Sequence, residues 1–290
     1  MVLVTGASGF IGKHVVRTLL DNHVEVLILT RSKESYNCQG SESVVEGDLL
    51  YYDEWKQQLL EYSIDTCIHL AWMGIPDYSY DMSKDNIICG FKVLELCRDN
   101  KIQKLIVSGS CWEYNNPQGR VFVEDNVSVD NYFKIAKNSL LNVSLRFCKE
   151  NDIRLNWLRL FYVYGEGQKS QSLIPHIIES FERGNVPVLN GAYNKNDFVY
   201  VGDVAKVIYD VCVKDNDNTV INVGMGKSIM VLDIVKAVAK AMNIEIDQSI
   251  YTSNGKEVDY YADYNEMNQM LGWVPNTPIN IGIKQMINKK

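Results

Sequence analysis

The sequence predicts an α/β protein, a doubly wound parallel sheet carrying a smaller lobe drawn mostly from the C-terminal part of the chain. Three observations lead there. Through the first 165 residues, short β-rich runs alternate with stretches of helical periodicity, the rhythm of parallel strands joined by helical crossovers. The first of these runs ends in three closely spaced glycines. From about Pro175 the order changes to a helix, short strands and further helices, with no repeat, low-complexity tract or linker marking the change.

In chain order, VLVT (2–5) runs into Gly6, Gly9 and Gly12 and then into a helix with an apolar period. Small residues at those places let the backbone turn tightly and approach a pyrophosphate, and a helix N-terminus offers free N–H groups and a favourable dipole. A second strand, VEVLILT (24–30), follows, which is the βαβ context that a dinucleotide-binding triplet needs; a glycine-rich structural turn is the alternative. Further strands are expected around SVVEGD (43–48), TCIHLA (66–71), KLIVSGS (104–110) and RLNWLRL (154–160), with helices between them. Beyond them come the helix IPHIIESFERG, short strands, the helix LDIVKAVAKAM and a closing helix. The expected division is 1–165 for the dinucleotide-binding domain, with segments near 196–223 returning to it, and 166–290 mainly for the second lobe, the two being interleaved.

Composition narrows the classes. At 46% hydrophobic and 22% charged, 290 residues are enough to bury a sizeable core in one large domain or a domain plus a lobe. A formal charge of -7 gives no broad attraction for nucleic acid or an acidic membrane surface. The opening MVLVTG has no basic n-region or cleavage site, and no apolar run approaches membrane-spanning length, so a cytoplasmic enzyme is expected. Cys38, Cys67, Cys89, Cys97, Cys111, Cys148 and Cys212 are scattered without CxxC or zinc-like spacing. They read as reduced thiols, mostly core filler, and no metal site is expected.

The end of the second strand bears on the choice of dinucleotide. An acidic side chain there would accept hydrogen bonds from the 2′-hydroxyl of NAD. The chain has Thr30-Arg31-Ser32-Lys33 instead, whose guanidinium, hydroxyl and ammonium suit the 2′-phosphate of NADP, with NAD the less favoured cofactor. The alternative is that Arg31 stacks on adenine or faces solvent.

Eight segments in order make the chain resemble an extended short-chain dehydrogenase/reductase of the NAD-dependent epimerase/dehydratase type, nearly end to end. They are TGASGFIG, EGDL, IHLAW, SGSCWEY, LRLFYVYGEGQ, NDFVYVGDVA, NVGMG and YADYNEMNQMLGWVP. The resemblance implies a Rossmann-type sheet with a nucleotide-sugar-binding lobe. It assigns cofactor contacts to Gly6, Ser8, Gly9, Phe10, Ile11, Gly12, Arg31, Ser32, Asp48, Leu49, Leu70, Ala71, Lys137, Leu160 and Val163. Substrate contacts fall to Trp72, Met73, Trp112, Tyr162, Lys195 and Asn196, the last standing where the family often has an arginine for the substrate pyrophosphate. Tyr162 stands where Asn is common, and the prolines usual ahead of the catalytic helix are absent. For Trp72, Met73, Trp112 and Tyr114, core packing is the alternative.

The family's chemistry uses a Ser or Thr at a strand end and the Tyr and Lys of a helical YxxxK. Ser110 and Lys137 fall at two of these positions, with a satisfied strand-end hydroxyl and a solvated lysine like Lys134 as the plain alternatives. The third position is Phe133, which has no hydroxyl. On a helix, positions 133 and 137 lie about 40° apart in projection, whereas Tyr132 is about 140° from Lys137 and should not substitute. Phe for Tyr keeps the ring and drops only the phenol oxygen. NYFKIAK therefore reads as an engineered, impaired form of NYYKIAK, with natural loss as the alternative.

The softer resemblance is to reductases that use NADPH to convert a nucleotide-linked 4-keto-6-deoxyhexose to a 6-deoxyhexose in deoxysugar biosynthesis. The alternatives are a nucleotide-sugar 4-epimerase and a non-catalytic NADP(H)-binding protein; a dehydratase would need an acid–base carboxylate near Ser110, where only Glu113 stands. A homodimer is expected, because the helices around 87–97 and 135–147 have broad apolar faces of the kind the family pairs.

Overall fold

Val2–Thr5 is buried at every position, as a strand covered on both faces must be. It is β1 of a computed structural model that describes residues 1–189, 191–247, 251–252 and 257–288. The first half continues through α1 (Phe10–Asp21), β2 (Val26–Thr30), β3 (Ser43–Glu46), α2 (Tyr52–Trp55), β4 (Thr66–His69), α3 (Tyr80–Asp99), β5 (Lys104–Ser110), β6 (Gly119–Val121), α4 (Tyr132–Glu150) and β7 (Arg154–Leu160). The second half is β8 (Tyr162–Tyr164), α5 (Leu173–Glu182), β9 (Lys195–Asn196), β10 (Phe198–Tyr200), α6 (Val201–Val213), β11 (Thr219–Val223), β12 (Ile229–Met230), α7 (Val231–Ala241), β13 (Asp259–Ala262), α8 (Asn265–Leu271) and α9 (Ile279–Asn288).

Seven strands make the parallel central sheet in the order β11-β7-β5-β4-β1-β2-β3. β1 pairs in parallel with β2 on one side (Val2 opposite Val26) and with β4 on the other (Val2 opposite Thr66). Chain order reverses between these neighbours, and a crevice at the carboxyl ends of such strands is where doubly wound sheets take ligands. The core under the sheet includes Leu3, Leu27, Cys67, Leu96, Leu105 and Trp157, all fully or nearly buried. Each large aliphatic or aromatic side chain there contributes about 1.5–3 kcal/mol by leaving water. Helix α1 presents Gly12, Val15, Val16 and Leu19 to the core, the spacing of a single helical stripe.

Two compact units result. The first takes residues 1–116, 125–159 and 205–221; the second takes 117–124, 160–204 and 222 onward. The units interleave, but the boundaries differ from 1–165 and 166–290. The first unit gives up 117–124 because β6 pairs with β13, in a second sheet ordered β12-β9-β13-β6. It ends this stretch at Arg159, and its later return is 205–221.

Other differences are local. The second strand starts at Val26, because Val24 N–H still closes the end of α1 on Leu19 O at 3.0 Å. The fourth ends at His69, with Leu70 N–H making a last bond to Thr5 O at 3.1 Å. Helix α6 was not expected, because it follows β10 with no intervening loop residue to punctuate the change of period. Among the described residues, no helix is long and apolar enough to cross a membrane.

Candidate active site

At the carboxyl ends of β1, β2 and β4, within the first unit, lies a cleft of about 820 Å³. Gly6, Ser8, Gly9, Arg31, Ser32, Asp48, Leu49, Leu70, Ala71, Trp72 and Met73 line it. Phe10, Ile11 and Gly12 form the first turn of α1 beside it. Gly6 has φ +75°, and a Cβ on it would stand 2.6 Å from the backbone N of Ala71; a Cβ on Gly12 would collide with Gly6 O. Gly9, the N-cap of α1, offers no side-chain cap, so the first N–H groups of the helix are left for a ligand. A close backbone cradle at an uncapped helix start fits the pyrophosphate of a dinucleotide.

The rim is arranged by backbone bonds. Asp48 Oδ1 accepts from Leu50 N–H at 3.0 Å, and Trp55 Nε1 donates to Asp48 O at 2.7 Å, which fixes the loop after β3. Glu46 is drawn to Lys33 N–H at 2.7 Å. The exposed Arg31 guanidinium makes a long 3.7 Å contact to Met73 Sδ.

Deeper in the same unit, Ser110 ends β5 and caps the single turn Cys111–Glu113. Its Oγ accepts from Trp112 N–H at 3.1 Å, leaving the hydroxyl proton to donate elsewhere. Ser110 N–H donates to Glu113 Oε1 at 2.8 Å. Glu113 is fully buried and also receives Arg159 Nε at 2.7 Å and Trp157 Nε1 at 3.1 Å. Arg159 in turn donates to the hydroxyl of buried Tyr114 at 3.0 Å. A carboxylate so fully supplied with donors is an anchor for the Ser110 turn rather than an acid–base partner.

Lys137 is not a solvated lysine. It is buried, its Nζ donates to Ser108 O at 2.7 Å, and it stands 3.8 Å from the centroid of the Trp72 ring, a cation–π arrangement. Burial pulls its pKa down to about 8, with the charge of Glu113 acting the opposite way. His69, buried and paired through Nδ1 with Thr5 Oγ1 at 2.7 Å, is pulled down to about 3 by burial and then by Lys137, so it stays neutral.

Helix α4 begins at its N-cap Asn131, whose Oδ1 accepts from Lys134 N–H at 3.0 Å. That start sends Phe133 inward and Tyr132 outward. Tyr132 is 52% exposed and meets Tyr80 at 5.5 Å between ring centroids. Phe133 is buried among three rings: Trp72 at 5.4 Å, Tyr78 at 5.3 Å and Trp112 at 6.2 Å. Sequence reasoning did not single out Tyr78; its one signal was its place directly ahead of Ser79, the N-cap of α3.

A sequence model of the NAD dependent epimerase/dehydratase family matches residues 2–224. The chain belongs to this family. Within it, a Methanocaldococcus jannaschii protein provisionally assigned as a UDP-glucose 4-epimerase is 28% identical, over 99% of this chain and 97% of its own. The dTDP-4-dehydro-6-deoxyglucose reductase of Escherichia coli is 24% identical, over 99% of this chain and 96% of its own. The solved structure of MoeE5 in complex with UDP-glucuronic acid and NAD has a TM-score of 0.86 at 25% identity, covering 99% of this chain and 97% of that one.

The other singled-out residues of this family member lie in the second unit. Leu160 is buried at the end of β7, and Val163 is half-buried in β8. Tyr162 OH and Tyr260 OH are 2.9 Å apart, Lys195 pairs with Asp259 at 3.0 Å, and Asn196 is buried in β9. Next to Asn196, Asp197 accepts from the backbone of Met225, Gly226 and Ala262, and its burial raises its pKa to about 6.

Proposed function

We propose that the protein reduces the 4-keto group of a nucleotide-linked 4-keto-6-deoxyhexose with NADPH, and that Phe133, as a Tyr-to-Phe replacement, holds its turnover down. The observation that carries this reading is the place of Arg31 on the cleft. Arg31 lines it where an acid would favour NAD, and a guanidinium there suits a 2′-phosphate.

Bound NADPH supplies the hydride for the carbonyl carbon. Gly6, Ser8, Gly9, Phe10, Ile11 and Gly12 hold the pyrophosphate at the start of α1; Asp48 and Leu49 meet the adenine, Leu70 and Ala71 flank the cofactor, and Lys137 takes the nicotinamide ribose. Ser110 keeps a proton to donate to the carbonyl oxygen and polarises it. Trp72, Met73 and Trp112 shape the space for the sugar. Likeness to the Escherichia coli reductase along almost the whole chain supports the reading.

The likeness to the Methanocaldococcus protein, and the NAD held by MoeE5, favour a second reading, a 4-epimerase that keeps NAD bound. Tryptophan quenching by NADP and by NAD separates them: stronger binding of NADP is expected, and stronger binding of NAD overturns the reductase. The activity test is NADPH oxidation by Phe133→Tyr with a panel of nucleotide 4-keto-6-deoxyhexoses. No turnover with any of them, despite tight NADPH binding, would leave a non-catalytic binder or another substrate class.

A cytoplasmic homodimer completes the proposal. All seven cysteines are free thiols, which suits a reducing compartment. Helices α3 and α4 leave Ile88, Ile135, Val143 and Leu145 exposed. Sedimentation showing only a monomer at micromolar concentration removes the dimer.

A further inference from the structure

Building on the reductase reading, we infer that Tyr78 supplies the proton that position 133 cannot. Its place is fixed from both sides. Asp77 N–H donates to Gly74 O at 2.7 Å, Asp77 Oδ1 accepts from Ser79 N–H at 2.9 Å, and Ser79 Oγ caps α3 through Met82 N–H at 3.4 Å. Asn86 holds the start of the same loop through Met73 N–H at 2.7 Å.

The ring that this loop carries is 5.3 Å from the Phe133 ring and 5.2 Å from that of Trp112, centroid to centroid. It therefore adjoins both the residue that lacks the hydroxyl and the residue whose N–H is bonded to Ser110 Oγ.

The hydroxyl of Tyr78 makes no hydrogen bond to any described residue, although the side chain is half-buried. Its oxygen is not sealed from solvent, so the phenol is free to exchange a water for a ligand acceptor. Burial also raises its pKa above the ordinary phenol value, so it is protonated at neutral pH. Neighbouring phenols are otherwise engaged: Tyr114 is bonded to Arg159, and Tyr132 lies outside against Tyr80.

As the carbonyl carbon accepts a hydride from the reduced nicotinamide dinucleotide, the C=O π pair moves on to oxygen. The Tyr78 O–H bond breaks, the O–H bond of the product alcohol forms, and the phenolate regains a proton from water.

A cycle of four chains tests this: the protein as it stands, Tyr78→Phe, Phe133→Tyr, and the double variant, the Phe at position 78 keeping the ring packing. Beside Phe133, Tyr78→Phe is expected to lower kcat about 10²-fold or more, with NADPH affinity from tryptophan quenching unchanged. In the Phe133→Tyr background the same change should cost less than about threefold, because the helix phenol then does the work. Equal losses in both backgrounds would make Tyr78 a packing residue, and no loss beside Phe133 would hand the proton to Ser110 or water; either result overturns the inference. If Phe133→Tyr oxidises NADPH with none of the 4-keto sugars, the reductase reading itself fails and takes this inference with it.

Discussion

The dinucleotide cleft and the corner around Phe133 belong to the same unit but are made of different material. The cleft is mostly backbone: it depends on missing side chains at Gly6 and Gly12 and on the uncapped start of α1. The corner is mostly side chain, a buried lysine over an indole, a buried Glu113–Arg159 pair and four packed rings. A backbone cradle is spoiled by one added carbon. A side-chain corner can lose one oxygen, keep its packing and lose its chemistry.

The largest expected effect tests the corner alone. Phe133→Tyr should raise kcat by about 10²-fold, on top of what Tyr78 already supplies, while NADPH affinity stays within error in a fluorescence titration. A parallel change in both would mean that the two regions are not separable.

Next comes Glu113→Ala, which leaves Arg159 buried without its carboxylate and should cost about 3–5 kcal/mol in a denaturant titration. A loss under about 1 kcal/mol would mean that the pair does not hold the Ser110 turn.

Lys137 tests how far the corner trades stability for charge. Its folded pKa of about 8 lies below its ordinary 10.5, so between those values the unfolded chain binds more protons and stability rises with pH. Below pH 8 the full penalty of a buried charge is present. Lys137→Met should therefore stabilise the protein at pH 7 by up to about 3 kcal/mol, and the gain should fade as pH approaches 10.5. Thermal melts at pH 7 and pH 10 with equal gains would contradict this.

The smallest effect belongs to the cleft. Arg31→Asp should shift the ratio of NADPH to NADH affinity by about tenfold towards NADH and leave the pH dependence of turnover unchanged. Equal weakening of both cofactors would show that Arg31 does not read the 2′ position.

This contrast in materials also explains what could be read from the sequence. Strands with both faces buried and glycines that admit no Cβ leave a local signature, so β1, α1 and the cleft were legible from a dozen residues. Ser110 and Lys137 were assigned by resemblance, and the spacing of Phe133 and Tyr132 from Lys137 was enough to place one inward and the other outward. Glu113 and Arg159 were not legible as a pair, because a separation of 46 in sequence leaves no local pattern. Tyr78 was missed for a related reason: an aromatic residue in a loop has no period, and its neighbours Phe133 and Trp112 come from α4 and the turn after β5.

The interleaving of the two units also bears on how the chain is made. The sheet of the first unit is finished by β11, which pairs with β7 only after the whole stretch from Leu160 to Tyr200 and α6 has been synthesised. Until then, β7 is an open strand edge on a growing chain, and such edges invite wrong pairing. A gene cut at residue 159 would leave that edge permanently bare, so the units should not be obtainable as separate soluble fragments. Chaperone demand during expression should fall once β11 has emerged from the ribosome.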